Sequence, residues 1–188
     1  MRFTVFLFFL TLLSCSTGSK KTNKQFDTTK SISLTDTIQH HEQEVDFRKE
    51  FISLYQKPIL IDTSFIDNGK KYKVIFHHFS TMDNELVVPA KYNFDTNKDF
   101  TTHNFASDLT VLADKDAVFK KHITKATFKS LLDTLGTPLN KYATLLYPTL
   151  ELNNDNIQIH YSISIPVTDV GVGVSIKFDK KGKYVIEQ

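Results

Sequence analysis

Histidine is the residue type in this chain that could most readily bind a metal ion, because a neutral imidazole nitrogen is a common ligand of zinc. A metal site readable from sequence needs spacing that puts two ligands on one face, such as H-x-x-x-H on a helix. The seven histidines are His40, His41, His77, His78, His103, His122 and His160. No two of them have that spacing, and adjacent residues of a strand point to opposite faces. We therefore predict polar surface histidines and no metal site.

Acidic residues occur in close pairs, which could supply the acid and base of a hydrolase if two of them faced each other across a cleft. The pairs are Asp83 with Glu85, Asp95 with Asp99, and Asp114 with Asp116. Each pair lies where a turn is expected, and Asp favours turns because its carboxylate accepts hydrogen bonds from nearby backbone amides. The third pair also lacks the glycine and distal glutamate of a calcium loop. We predict that these acids shape turns.

Serine and glycine motifs give no stronger signal for catalysis. The chain has no G-x-S-x-G sequence, in which a sharp turn exposes a nucleophilic serine. Gly171-Val172-Gly173 lacks the third glycine and the Lys-Ser/Thr of phosphate-binding loops. We expect these glycines to relieve crowding at a bend or bulge. The sequence thus predicts no catalytic residue, no cofactor and no metal.

The lone cysteine, Cys15, has the clearest predicted chemistry. It follows a positively charged start and an apolar run from Phe3 to Leu13. As a helix, that run would span about 16 Å, roughly half of a bilayer core, which fits a signal peptide rather than a membrane span. Leu12-Leu13-Ser14-Cys15 resembles the lipobox of bacterial lipoproteins, with a leucine three residues before the cysteine and a small residue directly before it. The resemblance implies cleavage after Ser14 and lipidation of Cys15.

Three segments follow from this interpretation. Residues 1–14 are the signal peptide, residues 15–34 are the lipidated cysteine and a flexible polar tether, and residues 35–188 are a single β-rich globular domain. The expected partner of the N-terminus is the lipid bilayer, through acylated Cys15. By the same resemblance, Ser16 implies the outer membrane of a Gram-negative bacterium. The chain from Ser31 onward carries a net charge of about −2, so it lacks the basic surface that nucleic-acid binding requires.

Two segments have the 3.6-residue period of helices. Near Asp36 a helix is expected to begin, with Ile38, Val45 and Ile52 on one face together with Phe51 and Tyr55, and to end at Lys57-Pro58. The alternative for residues 36–44 is a disordered segment. The second helix carries an apolar stripe, and we expect Thr124 to cap its start and Gly136 and Pro138 to close it. The stripe consists of Phe128, Leu131, Leu132 and Leu135.

The rest of the domain has the two-residue period of strands. Asn68-Gly69 predicts a hairpin between Ile59–Phe65 and Lys71–Phe79, because both turn residues tolerate a positive φ. Further strands are expected at Leu86–Phe94, His103–Leu112, Ala117–Ile123, Tyr142–Leu152, Ile157–Val167, Val172–Phe178 and Lys183–Ile186. Pro89 makes the first of these an edge strand or bends it. Clean alternation favours antiparallel pairing with one buried face. The predicted fold is α+β and β-rich, with about eight mainly antiparallel strands in a twisted sheet or sandwich and one or two packed helices.

The segment Phe119–Phe128, a strand that runs into a Thr-capped helix, is similar to a pattern in a family of small bacterial lipoproteins, the domain of unknown function numbered 4738. The order of parts resembles that family as well: lipobox, polar tether, strands, one helix and closing antiparallel strands. The resemblance covers residues ~58–188 and implies a β-rich fold and a surface location. It implies no activity.

These observations favour a membrane-tethered, non-catalytic binding module of the cell envelope, with an envelope protein as its partner. One alternative is an envelope hydrolase whose site is not visible in sequence. The other is a carrier of a small apolar ligand, for which the apolar faces of the terminal strands would line a pocket. A carrier requires a closed apolar cavity, a hydrolase requires convergent titratable groups in a cleft, and a binding module requires an exposed apolar patch or a bare strand edge.

Overall fold

The computed structural model describes residues 46–92, 97–153 and 156–188. Within these ranges the chain forms ten strands in three antiparallel sheets, together with short helices. The strands are β1 (Ile59–Asp67), β2 (Lys70–Ser80), β3 (Leu86–Val88), β4 (Phe100–Thr102), β5 (Phe105–Ala113), β6 (Asp116–Ile123), β7 (Thr144–Asn153), β8 (Asn156–Ser164), β9 (Gly171–Asp179) and β10 (Tyr184–Glu187). The predicted α+β, mainly antiparallel fold is confirmed, with ten strands in place of about eight.

The first large sheet has the order β1-β2-β5-β6. Its β1–β2 hairpin turns at Asn68 and Gly69, whose φ angles are +49° and +76°, as the Asn-Gly signal predicts. The alternation of β2 is also confirmed, since Val74, Phe76 and His78 are buried between half-buried neighbours. A separate two-stranded sheet pairs β3 with β4.

The second large sheet has the order β10-β9-β8-β7. Its inward residues on β8 and β9 are almost completely buried, and they pack in one core with the inward residues of β2, β5 and β6. That core joins the two sheets face to face as a sandwich. The isoleucines of β8 are therefore core residues, as the predicted burial of one face of this strand requires.

The helices pack against the core of the sandwich. They are α1 (Phe47–Ser53), α2 (Lys129–Leu135) and α3 (Thr137–Tyr142), with tight 3₁₀ turns at Leu54–Gln56, Ala90–Tyr92 and Lys125–Phe128. Thr124 stands at the start of the turn ahead of α2, as predicted, and pairs with Thr127: the Thr124 amide donates to the Thr127 hydroxyl at 3.2 Å, and the Thr127 amide donates to the Thr124 backbone carbonyl at 3.0 Å. Among the described residues, no helix is long and apolar enough to cross a bilayer.

Helix α1 differs in part from the sequence prediction. Residues 36–45, where that helix was expected to begin, lie outside the described residues, and the described helix starts after Asp46, whose side chain caps the Lys49 amide. Phe51 is buried as expected, but Ile52 is 46% exposed and does not belong to the packed face. Edge-to-face contacts of Phe51 with Phe100 and Phe105 select the face that α1 buries.

Two other predictions were wrong in part. The expected strand Leu86–Phe94 stops at Val88. The chain changes direction at Pro89, as expected, because the missing N–H of Pro89 cannot continue a ladder, and a 3₁₀ turn follows. Pro138 does not close the second helix. Gly136, with φ +95°, ends α2, and Pro138 lies in the first turn of α3, where its missing N–H leaves no helical hydrogen bond unmade.

Candidate functional site

The predicted site residue Cys15 lies outside the described residues, as do His40, His41 and Asp95. His77 and His78 point to opposite faces of β2, as expected. Two histidines depart from the predicted surface position, because His78 and His103 are only 4% and 8% exposed. Among the described residues, no group of three or more His, Cys, Asp or Glu side chains is arranged to hold a metal ion.

His78 belongs to a polar cluster inside the sandwich. Its Nδ1 lies 2.9 Å from the hydroxyl of Ser107, and its ring stacks on Phe105. Burial, with a smaller contribution from neighbouring His77, lowers the pKa of His78 to about 4. Tyr161 lies beside this ring, and burial raises the pKa of its phenol. The cluster contains a serine and a histidine, but it is closed to solvent, since His78 is 4% exposed, Tyr161 is 3% exposed and Ser107 is fully buried.

A second serine–histidine contact lies on the outer face of the second large sheet. The Ser175 hydroxyl is 2.8 Å from His160 Nδ1, and His160 Nε2 is 3.5 Å from a Glu151 carboxylate oxygen. These are the residue types of a catalytic triad, but the acid stands at the ring nitrogen that a triad points at its serine. The three side chains lie on the neighbouring strands β7, β8 and β9 of one sheet.

A third polar row crosses the outer face of the first large sheet. His77, Asp108 and His122 are direct neighbours in the registers of β2, β5 and β6. His122 Nδ1 lies 2.7 Å from an Asp108 carboxylate oxygen. More than half of the surface of both side chains is open to water. Such an exposed ion pair adds little to stability. Its members are far apart in the sequence, so no local motif predicts the pair.

Asp83 shows what the paired acids do. Its carboxylate accepts hydrogen bonds from the Thr81 hydroxyl, from the side-chain and backbone amides of Asn104, and from the Glu85 amide, at 2.7–3.1 Å. Burial alone would raise the pKa of Asp83, but these hydrogen bonds outweigh it and lower that pKa to about 2. The predicted turn role of Asp83 is thereby confirmed, because the carboxylate fixes the loop after β2 to the loop before β5.

Three separate segments of the described chain enclose a cleft of about 580 Å³. Helix α1 and the turn after it form one wall, the start of β7 forms another, and the loop between β8 and β9 forms the third. Most of the lining side chains are apolar: Phe47, Phe51, Leu54, Leu146, Tyr147, Ile165 and Val167. The cleft is open to solvent, so it is not the closed cavity that a carrier requires.

Two lining residues hold unusual backbone conformations. Tyr147 and Val167 have φ angles of +49° and +57°. This region is sterically costly for any residue with a Cβ and most costly for a β-branched one such as Val167. Tyr147 sits where the β7–β8 ladder is interrupted between Leu146 and Thr149, which turns its ring outward and leaves it 64% exposed. Strained non-glycine residues concentrate at functional sites, and here both line one cleft.

The third wall of the cleft is held rigid by its own hydrogen bonds. The Ile165 amide donates to the Val170 carbonyl at 2.9 Å, and the Thr168 hydroxyl donates to the Ile165 carbonyl at 2.9 Å. The Val170 amide donates to the same hydroxyl at 3.0 Å. A wall fixed in this way costs little ordering entropy when a ligand binds.

The charged side chains that line the cleft are acidic. Glu50 on α1 and Asp169 in the β8–β9 loop are the charged side chains among the described residues that line it. Both are exposed, and no Lys, Arg or His joins them in that lining. An apolar floor with an acidic rim favours a ligand that combines an apolar or aromatic group with positive charge.

Sequence reasoning did not find this cleft. Its walls come from positions near 50, 147 and 167, and no periodicity links them. The one local signal is Pro148, which breaks a strand pattern next to Tyr147. No family model matches the chain, and neither does any curated protein.

Proposed function

We propose that this protein is a membrane-tethered lipoprotein of the bacterial envelope whose globular domain is a non-catalytic binding module. The cleft between α1, β7 and the β8–β9 loop is its binding site, and its ligand is a segment of an envelope protein that presents an aromatic or large aliphatic side chain flanked by Lys or Arg. The observation that carries this proposal is the convergence of an apolar floor, the acidic pair Glu50 and Asp169, and two strained backbone positions on one open cleft.

The size and chemistry of the cleft agree with a side-chain anchor. A volume of about 580 Å³ accommodates one or two large side chains. Burial of one such side chain contributes about 1.5–3 kcal/mol, and contacts with the acidic rim add specificity more than affinity. We therefore expect only about millimolar binding by a short peptide, since micromolar binding needs about 8 kcal/mol, with tighter binding by the whole partner.

The test uses the mature chain, residues 15–188, with Cys15→Ser to keep it in solution. The probe is a peptide with one phenylalanine flanked by lysines. It is titrated into the protein, and binding is followed by the NMR chemical shifts of the protein. We expect shifts at Leu54 and Val167, and binding at least about tenfold weaker when the phenylalanine becomes alanine or the lysines become glutamates. Equal binding of all three peptides, or shifts away from the cleft, would refute the proposal.

Matched variants locate the site. Tyr147→Asn removes the aromatic ring but keeps a residue that tolerates a positive φ, and Asp169→Asn removes one charge of the rim. Val185→Asn is the control, because Val185 is also an exposed apolar strand residue, at 52%, but lies on β10. The proposal requires weaker peptide binding in the first two variants and unchanged binding in the control.

The tether is tested separately. We expect the wild-type precursor to incorporate labelled fatty acid and the Cys15→Ser precursor to incorporate none. Label in the Cys15→Ser form would overturn the lipoprotein assignment without touching the cleft.

The second candidate function, an envelope hydrolase, rests on the Ser175–His160–Glu151 row. A fluorophosphonate probe attacks only a serine whose hydroxyl is activated by a base. Labelling that disappears in Ser175→Ala would favour the hydrolase. We expect no labelling of either protein.

A further inference from the structure

The four edge strands of the two large sheets differ in how they are protected. An exposed edge has unpaired backbone N–H and C=O groups that can pair with another strand, and proteins blunt such edges with lysines, prolines, bulges or short length. β6 carries Lys120 and Lys121, and its ladder with β5 shifts register. β7 contains Pro148 and an interrupted ladder, and β10 is only four residues long.

β1 has none of these protections. It is nine residues long, contains no Lys, Arg or Pro, and pairs with β2 through nine consecutive positions without a register shift. On its outward face Leu60 and Ile66 are 69% and 73% exposed, the two most exposed large hydrophobic side chains among the described residues. An unprotected, regular edge with exposed apolar side chains is the form that strand addition requires.

The side-chain pattern of β1 identifies the strand that fits this edge. Leu60 and Ile66 stand three residues on either side of Thr63, and Ile61 and Phe65 stand two residues on either side. In an antiparallel pair of two β1 strands centred on Thr63, each Leu60 would oppose an Ile66 and each Ile61 a Phe65. Asp62 would oppose Ser64, so no like charges meet directly, and Asp62 is already paired with Lys73 at 2.9 Å.

We propose that the edge of β1 binds the β1 strand of a second copy of this chain, in antiparallel register about Thr63, and joins the two first sheets into one eight-stranded sheet. The arrangement is isologous, so it closes at two subunits. Strand pairing alone buries less than the ~1,000 Å² typical of a stable interface. The dimer is therefore weak in solution, and confinement of both copies to one membrane, which rests on the proposed lipidation, raises its population.

The register gives a sharp test in the mature Cys15→Ser chain, where an introduced cysteine is the only one. Leu60→Cys and Ile66→Cys proteins are oxidised separately and as a mixture. In the proposed register the two positions face each other across the dimer, whereas two copies of position 66 lie about 20 Å apart, beyond the reach of a disulfide. We expect crosslinked dimer in the mixture and little in either protein alone.

A second measurement does not depend on cysteine. Leu60→Lys protects the edge and removes two apolar cross-strand pairs, so we expect the dimer dissociation constant in sedimentation equilibrium to rise at least about tenfold. Val118→Lys on the outward side of β6 is the control and should leave that constant unchanged, because Val118 is exposed on a different edge. Absence of crosslinking in the mixture, equal crosslinking in all three samples, or equal dissociation constants would overturn the proposal. None of these results depends on whether the cleft binds a peptide.

Discussion

The buried histidine makes the domain sensitive to acid in a way that can be calculated. His78 has a pKa of about 4 in the folded protein, against an ordinary value of 6.5. The unfolded chain therefore binds a proton at this position at a higher pH than the folded chain does, so acidification favours unfolding. The loss of stability begins as the pH falls through about 6.5 and levels off below about 4.

The magnitude follows from the two pKa values. Between pH 7 and pH 5 the His78 contribution falls by about 2 kcal/mol, and the limit at low pH is about 3 kcal/mol. For a domain of this size, about 2 kcal/mol corresponds to a decrease of roughly 4–8 °C in melting temperature. Asp83 adds to the loss only at lower pH, because its pKa falls from an ordinary value of 3.8 to about 2 on folding, so its contribution is lost as the pH falls below about 4.

The assay is urea unfolding of the mature Cys15→Ser chain at pH 7 and pH 5 and constant ionic strength. Circular dichroism is the appropriate signal, because the chain has no tryptophan. The comparison protein is the double variant His78→Phe/Ser107→Ala, which keeps the ring stacked on Phe105 and removes both hydrogen-bonding partners together. We expect its stability to change between the two pH values by about 2 kcal/mol less than that of the parent.

The double variant separates His78 from the other titrating groups, since those are common to both proteins. Equal pH dependence in the two proteins would refute the reasoning, because it would mean that His78 binds its proton equally well in the folded and unfolded chains. A parent protein that is more stable at pH 5 than at pH 7 would contradict even the sign.

Three further outcomes are expected. Asp83→Ala should lower the free energy of unfolding by about 2 kcal/mol, measured in urea at pH 7, because it leaves the Asn104 and Glu85 amides without their acceptor. Gly171→Ala should destabilise by about 1–3 kcal/mol, since its Cβ would lie 2.2 Å from the Ser164 hydroxyl oxygen, and adding Ser164→Ala should recover part of the loss. Val167→Asn should melt no lower than wild type, because relief of the left-handed backbone offsets the lost apolar contact; a clear decrease would show that this position carries little strain.

Local sequence signals predicted the hairpins, the strand alternation and the capped second helix. Asn68-Gly69 and Asp179–Gly182 form turns because their residues tolerate the required φ values. These turns therefore do not depend on contacts with residues that are distant in sequence. The predicted alternation of β8 is present in the structure, because successive side chains of a strand point to opposite faces and only one face of the sheet is buried. Both Gly171 and Gly173 were expected to relieve crowding at a bend or bulge. Gly171 does so, because a Cβ there would clash with Ser164, but a Cβ on Gly173 would meet no atom within 4 Å, and both glycines lie in a regular ladder.

The features that sequence reasoning missed depend on tertiary contacts. The short strand β4 and the helix that begins after Gly136 have too few residues to show a period. His78 was expected at the surface, although the alternation of β2 puts it on the same face as Val74 and Phe76; the tertiary feature that the sequence did not show is Ser107, which lies within hydrogen-bond distance of its ring. The cleft arises where α1, β7 and the β8–β9 loop meet, and the left-handed residues Tyr147 and Val167 have no sequence signature because neither is a glycine or an asparagine.

The two proposed surfaces reinforce each other through simple mass action. A dimer joined along β1 would present two clefts and two lipid anchors, so the second contact with a membrane-bound partner would form at a high effective concentration. About millimolar cleft affinity is then sufficient, and the cleft does not need a larger apolar surface than the one formed around Leu54 and Val167. The same reasoning separates the two interactions: Leu60→Lys should weaken retention on a surface densely coated with the lysine-flanked peptide, while leaving the affinity for that peptide free in solution unchanged.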